Sequence, residues 1–517
     1  MRRCHPPHRA ASPGNSALRQ ANRATCCRRP AAARAVMVAV TRRDFCKWGG
    51  IAALAACAGP PHGKADYTLR IATGTVELAP GRVVSTLTYN GQFPGPLLRF
   101  MQGRRTWVDV YNDTDAPEQL HWHGQHIGAD VDGAAEEGTP YVPAHGMRRI
   151  SFVPGPAGFR FYHTHVVPRA DLSRGQYSGL VGPVHIASKD DDAGAFDQET
   201  FLTLKEFEPS LSRGGDMAVD FLAGAQEPDL RERGESSMAA SRGRGEQPGY
   251  EVGYRAFAIN GRMLGHGDPI RVRTGQLVLL HVLNAGATET RSLALPGHAF
   301  TVVALDGNPV PNRAPVPVLW LGAGERVSAL VSMTNPGVWV LGDLSDDDRE
   351  HGLGVVVEYA GRAGEPQWVP PPPFTWDYRL FAGPHPAPVA PPDHTIDLLI
   401  EKRNAADNGF NVWTVNGTPF AMDSNQPVLD VERGRRYRLR LRNASDDLHP
   451  MHLHRHTFEI TRFAGTPTAG VRKDVAMLGG YQSMEIDFVA DQPGLSLLHC
   501  HQQIHMDYGL MLLLNGV

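Results

Sequence analysis

Histidine, cysteine and carboxylate side chains can hold a metal ion, and in this chain the histidines are clustered. They fall in four short strings, HWHG at 121–124, HTH at 163–165, HPMHLHRH at 449–456 and HCH…H at 499–505. In an extended chain, residues i and i+2 face the same side. His121/His123, His163/His165 and His452/His454 can therefore each aim two imidazoles at one centre. The last string adds a thiol. If 499–501 is extended, Cys500 points one way and His499 and His501 the other. The thiolate then serves one metal and its neighbours another, with a path of a few covalent bonds between them. His505, past the strand end, and His449, before Pro450, complete a His₂Cys set. That is the arrangement of blue-copper electron-transfer sites. The remaining eight imidazoles suit copper at a site that handles a small ligand such as O₂.

Cysteine usage agrees. The chain has six cysteines, and Cys4, Cys26, Cys27, Cys46 and Cys57 lie in or at the edge of a basic leader. Only Cys500 remains beyond it, and an exported protein usually pairs its cysteines or lacks them. Residues 1–43 carry ten Arg and no acid. Thr41-Arg42-Arg43-Asp44-Phe45-Cys46-Lys47 resembles a twin-arginine export signal, and the apolar run Trp48–Ala58 is too short to span a bilayer. Such export carries folded, cofactor-loaded proteins out of the cytoplasm. Met37 offers an alternative start to Met1. Two signal endings compete. LAAC at 54–57 resembles a lipobox that would lipidate Cys57 and tether the chain to a membrane; ACA at 56–58 reads as an ordinary cleavage site. Of 51 Lys/Arg, 11 lie in the first 56 residues with one acid, leaving 40 against 53 Asp/Glu. That acidic balance argues against nucleic acid as a partner.

Positioning so many imidazoles requires a strand framework, and the chain repeats one. NGQFPGPLLRFMQGRRTWVDVYN (90–112), NGRMLGHGDPIRVRTGQLVLLHVLN (260–284) and NGTPFAMDSNQPVLDVERGRRYRLRLRN (416–443) share Asn-Gly, a Pro, a Gly and an Asn nine residues after that Gly. The residues between Gly and Asn alternate with strand period, and Asn-Gly is a hairpin signal. Three tandem β-sandwiches are expected, over 66–190, 200–360 and 394–517. The ten prolines of 361–393 read as an extended connector, and the polar stretch 209–250 as a mobile surface loop. The histidine strings follow the first and third repeats only. The middle unit has a lone His298 in LPGHAF, so the metal chemistry belongs to the outer units, which must meet.

HWHG, HTH, HPMHLH and HCHQQIHMDYGLM resemble the four copper motifs of three-domain multicopper oxidases, the laccase-like family, over roughly residues 66–517. The resemblance implies an all-β fold of three cupredoxin-like Greek-key domains and four copper ions. It implies type 1 copper at His449, Cys500 and His505, and type 2 copper at His121 and His452. The type 3 pair would take His123, His163, His165, His454, His499 and His501. His126 and His456 match no ligand position. The axial position ten residues after Cys500 is Leu510, with Met511 beside it, so a high type 1 potential is expected. Asp132 stands where the family often carries an acid that delivers protons and orients imidazoles. Positions where some relatives carry Glu are Gln503 and Met506 here, with Asp507 one residue off, which leaves the proton route on that side open.

The implied activity is one-electron oxidation of a phenol, aromatic amine or metal ion such as Cu(I) or Fe(II), with Cys500 relaying electrons and O₂ reduced to water. A cuprous-ion oxidase for copper tolerance is an alternative. Met477, Met484, Met506 and Met511 could offer soft contacts, although packing explains them as well and no Met-rich insertion is present. A non-catalytic copper-binding periplasmic protein is a further alternative, but it would not need a Cys between two His. Copper nitrite reductases lack this set of pairs, and a metal-free relative would not retain all eleven donors.

Overall fold

The computed structural model describes residues 63–189, 196–213, 221–234, 249–383 and 391–517. The export signal, the Cys57 lipobox and the four cysteines before it lie outside the described residues. The strand pattern of the sequence is realised directly. In Arg436–Asn443, Tyr437, Leu439 and Leu441 are buried, while the alternating arginines face Asp487, Glu485 and Asp397.

The internal repeat has a common physical basis. Asn90, Asn260 and Asn416 each open a tight turn at positive φ (56°, 52° and 51°). Their side chains accept from the backbone N–H of Arg70, Thr203 and Leu399, and donate to the carbonyls of Thr68, Phe201 and Asp397. The second Asn of each copy is buried. Asn112 donates to the carbonyls of Ala116 and Val142, Asn284 to those of Glu289 and Leu321, and Asn443 to those of Asp447 and Gly479. One amide thus ties a strand end to two loops, three times over.

The main sheets come in three pairs. The first pair orders Arg82–Tyr89, Tyr67–Ala79, Thr106–Asn112 and Gly146–Phe152 in one sheet. Its companion orders Leu98–Met101, Val181–Ala187, Gly158–His163 and His121–His123. In each pair a leading strand runs parallel to the strand ending in the buried Asn, with Ile71 opposite Asn112, Leu204 opposite Asn284 and Ile400 opposite Asn443. The remaining pairs hold strands between Gln198 and Tyr359 and between His394 and Gly516. One apolar core runs from the middle unit into the last; Phe159, Phe161, Phe207 and Leu283 pack the first against the middle.

Both connecting stretches bury apolar side chains among their described residues. Within 209–250, Ser210–Ser212 pairs with Glu251–Gly253, and Phe221 stacks on Trp320 with ring centroids 3.9 Å apart. Phe221, Leu222 and Ala223, apolar residues set in a polar composition, are buried. The proline-rich stretch buries Trp376, Tyr378 and Phe381.

Glu199 joins the first two units, 2.9 Å from Arg99 and 3.3 Å from His281. The His281 hydrogen bond first, then Arg99, holds its carboxyl down to about 2 from 4.5. The contribution is therefore full above pH 4.5 and lost as pH falls through about 2. Glu199→Gln should lower the urea midpoint at pH 7 by less than about 1 kcal/mol of stability, given the half-exposed arginine. The gap to the native chain should close in acid.

Candidate metal centres

Register brings the strings together. His121 lies opposite His163, His452 opposite His499, and Met451 opposite Cys500. Cys500 ends the strand Gly494–Cys500, and His505 sits on the short helix Gln503–Asp507 that follows. Alternation does as expected. The rings of His499 and His501 lie on one side, 5.8 Å apart at 28°, while Cys500 Sγ faces His449 and His505.

The first cluster is compact. Cys500 Sγ is 3.6 Å from His449 Nδ1 and 3.4 Å from His505 Nδ1, and the two nitrogens are 3.1 Å apart. A point equidistant from the three is roughly 2 Å from each, a first-row metal–ligand distance. Ser445 Oγ meets the far nitrogen of His449 at 3.0 Å, which fixes the ring. Burial pushes the Cys500 thiol up, and burial holds both imidazoles well below their ordinary range. The thiol therefore needs a cation to ionise, and metal binding would release its proton. Trp413 packs over His505 at 4.2 Å, and His505 is only 2% exposed. Leu510 shares the apolar cluster of Cys500 and Ile504, whereas Met511 packs with Leu497, Met506 and Leu513. Met511 lies opposite His499 in the sheet, which places its side chain on the imidazole face rather than the thiol face. Met477, Met484, Met506 and Met511 are all buried in apolar clusters.

Eight imidazoles form the second cluster, and each lies close to several others. The rings of His165, His454 and His499 are 4.9, 5.3 and 5.1 Å apart. Those of His123, His163 and His501 are 5.6, 5.0 and 5.1 Å apart. His121 stacks on His454 at 4.0 Å and His452 on His123 at 3.8 Å, with His121 and His452 themselves 5.8 Å apart. Carbonyls fix the rings: Nδ1 of His121, His163, His452 and His499 donates to the main-chain oxygens of Asp132, Thr164, Asp474 and Cys500. Nε2 is left pointing inward. His121 Nε2, His123 Nδ1, His163 Nε2, His452 Nε2 and both nitrogens of His165 and His501 are buried without a hydrogen-bond partner. Burial first, then neighbouring rings, holds His123, His163, His165, His452, His454 and His501 well below the usual imidazole range, and His499 at about 3. Neutral, converging and otherwise unsatisfied nitrogens fit copper ions.

Carboxylates surround this cluster. Asp132 Oδ2 is 2.9 Å from His454 Nδ1 and 3.1 Å from His121 Nδ1. Sequence reasoning missed three more. Glu137 lies 3.3 Å from His454 Nδ1, Glu136 3.7 Å from His165 Nδ1, and Asp474 3.1 Å from His123 Nε2. Burial raises Glu136 to about 7 and Glu137 well above its ordinary value. The string ADVDGAAEEG was the available signal for the first two; nothing local marks Asp474. On the opposite side, Gln503 and Asp507 are engaged in holding the loop after HTH. Gln503 accepts from Gln176 N and donates to Asp507, which accepts from Arg169 N. His126 bonds Thr457, and His456 bonds the His454 carbonyl, both outside the donor set. His298 is satisfied by Pro296 and Tyr359.

Sequence models described as multicopper oxidase match residues 70–191, 232–354 and 390–515. The chain is 30% identical over 511 residues to multicopper oxidase MmcO of Mycobacterium tuberculosis, covering 91% of this chain and 97% of that protein. Among solved structures, a multicopper oxidase from Pseudomonas thermotolerans superposes with TM-score 0.63 at 26% identity, over 88% of this chain and 100% of that one. Fet3p, described as a multicopper oxidase that functions in iron import, superposes with TM-score 0.69 at 19% identity, over 87% and 90%. This chain belongs to the multicopper oxidase family. It is accordingly a copper-dependent oxidoreductase of three cupredoxin-like domains with oxygen as acceptor, and the family uses four copper ions of types 1, 2 and 3. Among the described residues no helix is long and apolar enough to cross a membrane.

Proposed function

We propose that this chain oxidises small reducing donors, namely phenols, aromatic amines, Cu(I) or Fe(II), one electron at a time while O₂ is reduced to water. The supporting observation is the Cys500 bridge. Its Sγ belongs to the three-donor cluster, its peptide neighbours to the eight-imidazole cluster, and its carbonyl accepts from His499 Nδ1 at 2.8 Å. His449, Cys500 and His505 would hold type 1 copper, and His121 and His452 type 2 copper. His123, His163, His165, His454, His499 and His501 would hold the type 3 pair. Bound copper supplies one-electron redox chemistry at the first cluster and four-electron O₂ reduction at the second.

The side chains supply the rest. The covalent path through Cys500 and its hydrogen bond to His499 would couple copper ions held at the two clusters. Asp132 orients His454 and is the carboxylate best placed to pass protons, with Glu137 beside the same His454 nitrogen and Glu136 beside His165. Leu510 carries no donor atom, so a copper ion held by His449, Cys500 and His505 would gain no thioether from it, which would favour a high potential. Leu510→Met should lower that potential in an electrochemical titration, and Met511→Leu should leave it unchanged. A large shift from Met511→Leu would reverse the assignment.

Export by the twin-arginine route to the periplasm or another extracytoplasmic compartment is supported by the 41–47 motif, with Cys57 as a lipid anchor if the lipobox is used. Mass spectrometry of the mature N-terminus distinguishes a lipidated Cys57 from an unmodified Ala or Gly start. Oxygen uptake by the copper-loaded protein with a phenol, an aromatic diamine, Cu(I) and Fe(II) in parallel tests the activity. A blue protein that consumes no oxygen with any of the four would sink the oxidase reading.

A further inference from the structure

The middle unit offers no donor to either cluster, yet it sends a fully buried arginine to their edge. Arg326 opens the strand Arg326–Ser332 and is 0% exposed. An arginine so placed is costly unless its charge and donors are met. Its fork grips Asp474 with both arms, Nη1 donating to Oδ1 at 2.6 Å and Nη2 to Oδ2 at 2.7 Å. Such two-point pairing fixes a carboxylate in orientation as well as in place. Arg160, from the first unit, donates to Oδ2 at 3.1 Å. Asp306, also of the middle unit, receives the backbone N–H of Asp474 and Val475.

Asp474 Oδ1 then faces His123 Nε2 at 3.1 Å. A carboxylate can only accept, so Nε2 carries the proton and the lone pair falls on Nδ1. His123 is thereby reversed relative to His121, His163, His452, His454 and His499, whose Nδ1 is tied and whose Nε2 points inward. A second route links the same residues. The Arg326 guanidinium lies over Phe161 at 5.4 Å, Phe161 stacks on His123 at 4.1 Å, and His123 stacks on His452 at 3.8 Å. The glycine of HWHG makes room for the clamp. A Cβ on Gly124 would fall 2.5 Å from Asp474 Oδ2 and 2.8 Å from Arg326 Nη2. Two residues before Arg326, a Cβ on Gly324 would meet the His501 ring at 2.7 Å.

We infer that Arg326 is a positioning residue for the three-copper site: through Asp474 it selects the tautomer and ring orientation of His123, so that Nδ1 is the nitrogen presented to the cluster. The inference rests on the proposed reading of His123 as a donor. It gives the middle unit a functional task, since the residue that sets one ligand's chemistry comes from the unit without ligands.

The test compares the native chain with Arg326→Met, Arg326→Lys and Asp474→Asn, all copper-loaded. Asn can turn its NH₂ to His123 and force the opposite tautomer. Copper per chain, the paramagnetic resonance spectrum, the blue band and KM for O₂ are measured. Arg326→Met and Asp474→Asn should weaken binding of one copper by about 10- to 100-fold, uncouple the type 3 pair and raise KM for O₂. The blue band should persist, because His449, Cys500 and His505 do not touch the clamp. Arg326→Lys should recover part of the loss. If Arg326→Met fails to fold, the other two variants carry the comparison. Full copper content with native resonance and native KM in Asp474→Asn and Arg326→Lys, whatever their thermal stability, would make the clamp merely structural. A native chain that does not bind four copper ions would overturn the donor assignment instead.

Discussion

Cys500→Ser should leave a folded, colourless protein that binds three copper ions and turns over at least about a thousandfold more slowly, the scale expected when one member of an interdependent catalytic unit is removed. Cys500 is the only free cysteine among the described residues, so no other thiol there can substitute. Serine keeps the size but not the chemistry. Its hydroxyl does not ionise at neutral pH and is a poor match for copper beside two imidazoles. The fold should tolerate the change at a cost of about 1–3 kcal/mol for a buried hydroxyl with little to bond. His499 and His501 are unchanged on the opposite side of the strand, which is why three ions, rather than none, should remain. Copper analysis, visible absorption and oxygen uptake check the three parts together. Uptake above about a tenth of native would mean that electrons reach the second cluster by a path that avoids the thiolate.

The largest expected effect on stability lies away from the donors. Lys473 is fully buried, 3.0 Å from Asp306 Oδ2 and 2.9 Å from Glu325 Oε1, and neither carboxylate is more than 2% exposed. The lysine comes from the last unit and both acids from the middle one. Lys473→Met keeps the stem but strands two negative charges at the junction. Removing one member of a buried ionic group costs about 3–5 kcal/mol, a large fraction of ordinary domain stability. The urea midpoint of the copper-free protein measures it. Burial already raises Glu325, and Lys473 is the main influence opposing that rise. The deficit should therefore be greatest at high pH and shrink as acid protonates Glu325. Adding Glu325→Gln should restore part of the loss. An unchanged midpoint would show that solvent or rearrangement meets the stranded charges. The consequence reaches the cluster, because Glu325 follows the Gly324 turn that packs on His501 and holds Gly322 N at 2.7 Å.

Legibility in the sequence followed locality. The pairs His121/His123 and His452/His454, and the split of His499 and His501 from Cys500, depend on neighbours two residues apart, and alternation alone predicts them. The Asn-Gly turns and buried asparagines recur at fixed spacing because each solves one local backbone problem. The apolar Phe221-Leu222-Ala223 was not legible, since a composition reading averages it into a polar stretch.

The sequence by itself determined the donor inventory, the strand period that aims it and the threefold repeat that carries it. Only the tertiary structure decided how the two histidine regions come together, which nitrogen of His121, His123, His163 and His452 is left unpartnered, and which charges surround them. Asp474 lies 351 positions from His123, and Arg326 lies 148 from Asp474. Charged residues are ordinarily exposed, so nothing in their own segments marks them as buried. Their role arises only where three sandwiches close on one another and a carboxylate excluded from water must find its partners inside.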